Sequence, residues 1–283
     1  MTEPAIQDRS IGRLIAEANK LSADQVEAIL QHQRAKGIRF GEAAVELGFA
    51  SGDEVLWALS QQFHYPYAPG GAERLGAELV MAKQPFSVQA EAFRSLRSEI
   101  TLHLLAPDQP RRAIAVVSAD RGDGRSFFAA NLAIALSQLG GRTLLVDADL
   151  RAPRLHEIFQ VANGAGLSGI LAGRAEMNVI QAVPELPSLF VMPAGAVPPN
   201  PTELIERPAF GLMMQELGGK FDHVLVDTSA ASEGSESVIA AARCGAALVV
   251  ARRHRSTMSG VRELLHRFRA TECRIAGLVM NEH

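Results

Sequence analysis

The residues able to do chemistry here are concentrated in one loop, with Gly122, Gly124, Arg125 and Ser126, and in three later acids, Asp147, Asp149 and Asp227. The loop follows an apolar run, Ala113–Ser118, and opens a long helical pattern; a second apolar run then ends in Asp147-Ala148-Asp149. Strand, glycine turn, helix and strand make the layout of a phosphate-binding βαβ unit. Gly122 and Gly124 allow a tight turn, so that backbone N–H groups from Gly122 through Asp123, Gly124, Arg125 and Ser126 to Phe127 can face phosphate oxygens. A helix starting near Arg125 aims its positive end at the same anion. Ser126 offers the first hydroxyl on that helix, where Mg²⁺ is expected. Asp147 and Asp149 close the second strand, within reach of a metal or of a water beside a terminal phosphate. The run HVLVDTS ends at Asp227, a further acid for the metal. Acids at strand C-terminal ends lie where open parallel sheets bind their ligands.

Two positions depart from the P-loop pattern G-x-x-x-x-G-K-[ST]: Ala119 replaces the first glycine and Arg125 replaces the lysine. Arginine keeps the charge but is longer, planar and forked. Taken alone, the loop also suits a strand–turn–helix corner whose glycines only ease packing. The strand-end acids decide for phosphate chemistry.

The elements that must position these residues fit a chain of 283 residues, enough for one large domain and a small one. A hydrophobic content of 47% with 21% charged residues indicates a folded protein. A net charge of −3 gives no global drive toward nucleic acid or anionic lipid, and no nucleic-acid partner is expected. Cys244 and Cys273 lack metal-ligand spacing and read as small core residues in a reducing compartment. MTEPAIQDRS lacks a signal-peptide layout, and no apolar stretch is long enough to span a membrane, so a cytoplasmic protein is expected.

The chain begins with a repeat: Ile11–Gln33 aligns with Phe40–Gln62, matching Gly12 with Gly41, Ser22 with Ser51, Asp24 with Asp53, Val26 with Val55, Leu30 with Leu59 and Gln33 with Gln62. Each copy predicts a short helix, a turn and a helix capped by Ser22 or Ser51. This gives a small α-helical domain over residues 1–67. Residues 68–88 read as a linker punctuated by Gly70, Gly71 and Pro85. Residues 89–283 form the second domain, opening with a helix on which Glu91, Arg94 and Arg97 make a charged stripe. Strand–helix alternation through LFVMPAG, FDHVLVDTS, AALVVARR and IAGLVMN predicts an α/β fold with a mostly parallel sheet covered by helices on both faces. The run Arg252–Arg255 could attract phosphate or acidic partners, though a run of this kind is more often a solvated loop.

With these motifs in hand, residues 91–283 resemble the cytoplasmic bacterial tyrosine kinases of the polysaccharide co-polymerase system, relatives of MinD/ParA-type P-loop ATPases. EAFRSLRSEI is similar to their Glu-x-x-Arg-x-x-Arg oligomerisation helix, LLVDADLRAPRLHEIF to their second acidic motif, VLVDT to their Walker B strand and LVMN to their last strand. The order of motifs along almost the whole chain resembles the chain-length determinant subgroup associated with exosortase-type exopolysaccharide clusters. The N-terminal repeat resembles the N-terminal domain of type II secretion and pilus-extension ATPases, which in some members binds cyclic di-GMP. Arg39 and Gly41 match that motif, whereas the first copy has Ser10-Ile11-Gly12; a helical adaptor is the other reading.

The resemblance implies ATP and Mg²⁺ as cofactors. Arg125 neutralises phosphate, Ser126, Asp147 and Asp227 hold metal, Asp149 orients or deprotonates a tyrosine hydroxyl, and Asn281 reads adenine. It implies a homo-oligomer built through Glu91, Arg94 and Arg97, with a membrane-embedded chain-length determinant (polysaccharide co-polymerase) as partner that holds the protein at the inner membrane. Two departures bear on this. The only tyrosines are Tyr65 and Tyr67, so autophosphorylation of a tyrosine tail is not expected. Ser229 replaces a usual proline and predicts a looser loop after Asp227. Two functions follow: a tyrosine kinase/ATPase regulating exopolysaccharide chain length and export, or a MinD/ParA-like ATPase switch without tyrosine phosphorylation.

Overall fold

The computed structural model describes residues 11–282 apart from 53, 56, 59–73, 107–108 and 175–176. It divides into two units, Met1–Glu73 and Arg74–His283.

In the first unit, helices span Ile11–Ala18, Ala23–Lys36 and Phe40–Glu46. Ser22 starts the second of them. Its hydroxyl accepts the Gln25 N–H while the Gln25 side chain accepts the Ser22 N–H, which satisfies two donors that a helix start leaves open. Ser51 and Glu54 make the same exchange, so the repeated serines are helix caps. Leu14, Ile15, Ile29, Ala43 and Ala44 form the core of this unit. Gly41 is buried there, and a Cβ at this position would lie 2.5 Å from Val55 Cγ1. The glycine therefore serves a close helix approach, while Arg39 beside it is exposed. The repeat positions Asp53, Leu59 and Gln62, and both tyrosines, Tyr65 and Tyr67, lie outside the described residues.

The second unit is built on the strands β1 (Ala113–Val117), β2 (Thr143–Ala148), β3 (Gln181–Val183), β4 (Leu186–Met192), β5 (His223–Thr228), β6 (Gly245–Arg252) and β7 (Arg274–Asn281). They form one sheet in the order β3-β4-β2-β5-β1-β6-β7. All neighbouring pairs are parallel except the β3–β4 hairpin, which the sequence pattern does not announce. The central strands are apolar at nearly every position because both faces are covered. Their side chains alternate between two cores. Ile114, Val116, Leu145, Leu225, Leu248 and Val250 pack toward helices Val88–His103 and Arg125–Ser137. Ala115, Val117, Leu144, Val146, Val226 and Val249 pack toward helices Pro208–Lys220, Glu236–Cys244 and Met258–Phe268. Among the described residues no helix is long and apolar enough to cross a membrane.

The linker expected over 68–88 needs correction in its second half. Leu75, Leu79, Val80, Met81 and Ala82 are buried in the same core as the helix Arg125–Ser137. The apolar run Leu79–Ala82 outweighs the Gly and Pro punctuation around it, so the second unit starts at Arg74. Asn131, fully buried in that helix, fixes the segment. Its carbonyl accepts the Met81 N–H at 3.0 Å, and its amide donates to Glu78 O and Phe127 O at 3.0 and 2.9 Å. Asn131→Leu, similar in size, would strand the buried Met81 N–H. The expected loss is about 2–4 kcal/mol, read as a lower urea midpoint at unchanged m-value; an unmoved midpoint would refute the clamp.

Candidate functional site

The two-residue period of a strand decides where the acids point. Asp147 stands two residues beyond Leu145, and Asp227 two beyond Leu225, so both face the helix Arg125–Ser137. The β2–β5 register makes them direct partners, and both are fully buried. Burial, followed by the charge of Asp227, raises the Asp147 carboxyl well above the usual range. Burial likewise raises Asp227 to about 7, against the pull of the Arg125 charge. Their partners differ. Asp147 Oδ1 accepts the Asp149 N–H at 3.2 Å, and its Oδ2 accepts the N–H groups of Arg154 and Leu155 at 3.2 and 3.1 Å. It organises the turn into the helix Leu155–Phe159. Both Asp227 oxygens are buried with no well-formed hydrogen bond, the Ser126 hydroxyl and the Thr228 N–H being donors near enough to pull its pKa down.

Asp149 is nearly buried. Its Oδ1 accepts the Arg151 and Ala152 N–H groups at 3.2 and 3.0 Å, and its Oδ2 lies 3.9 Å from Arg125 Nη2.

Gly122 and Gly124 have φ of 85° and 100°, a region other residues enter only at a cost. A Cβ on Gly124 would also collide with the Asn281 side-chain amide, which donates to Asp123 O at 3.0 Å. Asn281 is thereby pinned against the loop. The Asp123 carboxylate turns inward, accepting the Asp120 N–H at 3.0 Å and the Ser256 hydroxyl at 2.8 Å. Phe127 packs edge-on against Phe93 and Phe128.

Arg125 does not point outward as a phosphate-binding lysine would. Its Nε donates to Thr228 O at 2.8 Å, and its Nη1 donates to Asp120 O at 3.0 Å and to the Ser118 hydroxyl. Arg252, read from the sequence as part of a solvated run, donates to Gly122 O at 3.0 Å, and the Arg255 guanidinium covers Gly122. Sequence reasoning missed Ser118 and Ser256, and of the run Arg252–Arg255 the cavity wall takes Arg252. Only Ser118 carried a signal, as the next residue on the P-loop face after Val116.

A cavity of about 400 Å³ opens above the loop, in the size range of small-ligand sites. Arg121, Arg125, Arg154 and Arg252 line it, against Glu78 and Asp149. Gly122, Gly124, Ser126, Phe127 and Asn281 are also in its wall, whereas Asp147 and Asp227 lie beneath it. Among the described residues no group of three or more His, Cys, Asp or Glu gathers to hold a metal. The donor set suits a Mg²⁺ that takes one carboxylate, one hydroxyl, phosphate oxygens and water. The unpartnered Asp227 oxygens beside Ser126 fit that ion.

The looser loop expected after Asp227 is not found. Ala231 and Ser232 N–H groups donate to Ser118 O and Ala119 O at 3.0 and 2.9 Å, and the Thr228 hydroxyl donates to Val116 O at 2.8 Å. Backbone pairing to the end of β1 does what a proline would do. On the helix Val88–His103, Arg94 bonds Glu91 at 2.8 Å and also Pro85 O, while Arg97 donates to Ala135 O at 3.1 Å. Both arginines are bound within their own chain.

Asp227 offers a test of this electrostatic arrangement. Its raised folded-state pKa means that its contribution to stability is fully present below the unfolded value near 4 and is lost as pH rises through about 7. Asp227→Asn should therefore melt higher than the parent at pH 8, with the gap closing as pH falls toward 4, while Mg²⁺-dependent ligand binding is lost. A variant that melts lower at pH 8 would show the carboxylate to be compensated.

Comparison with known proteins now bears on this geometry. The family described as "ParA: NUBPL iron-transfer P-loop NTPase" matches residues 109–283. The tyrosine-protein kinase wzc of Salmonella typhi is 31% identical over 205 residues, which are 72% of this chain and 28% of that protein. The chain thus spans under a third of that relative's length. The kinase domain of the Escherichia coli tyrosine kinase ETK superposes with a TM-score of 0.67 at 30% identity, over 72% of this chain and 79% of that one. The septum site-determining protein MinD of Pyrococcus horikoshii, solved with Mg-ADP, gives a TM-score of 0.54 at 25% identity, over 61% of this chain and 70% of that one. The chain belongs to the ParA family of P-loop NTPases, among the bacterial tyrosine kinases.

Proposed function

We propose that the chain is an ATP-dependent protein tyrosine kinase and ATPase. The observation that carries this is the buried, unpartnered Asp227 carboxylate beside Ser126, beneath a glycine loop that opens a helix. In this reading the N–H groups from Gly122 to Ser126 and the helix start cradle the β- and γ-phosphates. Ser126 and Asp227 hold Mg²⁺, which neutralises phosphate charge when bound. Asp147 shapes the acidic loop through its three backbone hydrogen bonds, in place of the metal role the resemblance implies for it. Asp149, in the cavity wall, orients the acceptor hydroxyl. A tyrosine hydroxyl titrates near 10, so a carboxylate takes its proton mainly as the transition state forms, and positioning carries most of the rate. The bonds made by Arg125 direct it to holding the loop, with its Nη2 edge toward the cavity. Asn281, pinned beside Gly124, is the candidate for the adenine edge.

The resemblance to polysaccharide kinases supports a role in exopolysaccharide chain length and export, with a membrane-embedded chain-length determinant as partner and an inner-membrane location through it. It also supports self-association along the helix Val88–His103, on which Glu91 is exposed. For the first unit we keep the helical adaptor reading. Packing accounts for Gly41, and a cyclic di-GMP role through Arg39 rests on the sequence motif alone.

The likeness to MinD supports a second reading, a MinD/ParA-like switch whose ATP state sets partner binding. One incubation with Mg-ATP separates the two, following free phosphate and intact mass together, with and without Asp149→Asn. Expected is phosphate release plus a mass gain on a tyrosine, the transfer falling about 10²-fold or more in the variant. Release without any mass gain, on the chain or an added partner, would replace the kinase with the switch. Binding without turnover would refute both.

A further inference from the structure

The lip of the cavity is built in part by a segment ahead of the first strand. The Gly76 N–H donates to Ile158 O at 2.8 Å, and Asn131 holds Glu78 O and the Met81 N–H, so the segment is anchored to two elements of the site. These anchors carry the Glu78 carboxylate to the cavity, where it meets Arg154 Nη2 at 2.7 Å. Arg154 is itself held from behind, since its backbone N–H is bonded to Asp147 Oδ2.

The other cavity arginines are committed differently. Arg125 is buried and bonded to Thr228, Ser118 and Asp120, and Arg252 to the Gly122 carbonyl. Arg121 is 70% exposed and lies 3.7 Å from Glu233. Arg154 and Glu78 are partly exposed, at 52% and 30% of their side chains. An ion pair this open adds little to folding and exchanges readily. A phosphate offers a guanidinium the same forked geometry with more charge. Arg154 also follows Asp149 in the segment after β2, and both line the cavity; in the nucleotide reading Asp149 faces the terminal phosphate.

We infer that Arg154 reads the terminal phosphate of the nucleotide and that Glu78 is its resident counter-ion, displaced when a triphosphate enters. Glu78 then lowers affinity for ATP more than for ADP, and Arg154 sets the preference between them. This rests on the cavity being a nucleotide site.

The test is calorimetric titration of the whole chain with Mg-ATP and Mg-ADP, using the parent, Glu78→Gln, Arg154→Gln and the double variant. Thermal midpoints of all four should coincide, because the pair is exposed. Glu78→Gln should tighten ATP binding about fivefold and change ADP binding less than twofold. Arg154→Gln should weaken ATP about tenfold, the size of one charge-assisted hydrogen bond. The double variant should keep the collapsed ATP preference of Arg154→Gln. An unchanged ATP:ADP ratio in Arg154→Gln, or weaker ATP binding in Glu78→Gln, would overturn the inference while leaving the nucleotide site standing. A parent that binds neither nucleotide would overturn the site and the inference together.

Discussion

Arg125 is the interaction on which the site depends. Three carboxylates, Asp147, Asp149 and Asp227, are buried around the ends of β2 and β5, and Arg125 is the only buried cation among the described residues. Its Nη2 lies 3.9 Å from Asp149 Oδ2, and its charge pulls the Asp227 carboxyl down against burial, whereas burial and the neighbouring acids push Asp147 up. The same guanidinium bonds Ser118 just beyond β1, Asp120 in the loop and Thr228 at the end of β5. It therefore offsets Asp149 and Asp227 and ties together the strand ends that carry the loop. A lysine ammonium, a point charge with three donors, would not span these acceptors in a plane. This gives a physical reason for arginine in the lysine position. Phosphate charge is left to the backbone N–H groups, the helix start and the arginines of the cavity wall.

Much of this was legible in the sequence, where local pattern and tertiary need agree. The β-branched runs became the central strands, the glycine loop took the expected place, and Ser22 and Ser51 became caps. Alternation along the strands places Asp147 and Asp227 on the P-loop face without further information. What was not legible depends on partners far away in sequence. The segment 74–88 looked like a linker because its core partners, Asn131 and Ile158, lie far down the chain. Arg253, His254 and Arg255 are exposed turn residues, as the solvated reading has it, but nothing local marks Gly122 as the group that Arg252 bonds. Asp147 and Asp227 have the same setting in sequence, yet the turn after β2 brings its N–H groups onto Asp147, whereas the turn after β5 spends its own on Ser118 and Ala119.

The acidic loop is braced at both ends. Arg151, two residues past Asp149, donates to Glu236 Oε1 through Nε at 2.9 Å and Nη2 at 2.5 Å, and the Thr202 hydroxyl donates to the same oxygen at 2.7 Å. Burial pushes the Glu236 carboxyl up, but Thr202 and Arg151 hold it below its ordinary value, which keeps it charged and the pair intact. The carboxylate of this pair is buried while Arg151 reaches it from the surface, so losing Arg151 would leave Glu236 with the Thr202 hydroxyl as its remaining side-chain donor. Farther along, Arg154 and Leu155 hang on Asp147 through their backbone N–H groups. Asp149 thus sits in a loop with little freedom of its own.

That rigidity bears on the choice between catalyst and switch. A switch needs an element with two arrangements close in free energy, each favoured by a different ligand state. A catalyst gains most from groups fixed in advance where charge will develop. Here the loop after β5 is pinned by backbone hydrogen bonds to Ser118 and Ala119, and the acidic loop by the hydrogen-bonded pair of Arg151 with the buried Glu236 carboxylate. The contacts that exchange at low cost lie at the lip, where Glu78 meets Arg154 on the surface. A fixed interior with a labile rim favours phosphoryl transfer at the centre and places control at the entrance, on the segment that immediately follows the first unit in the chain.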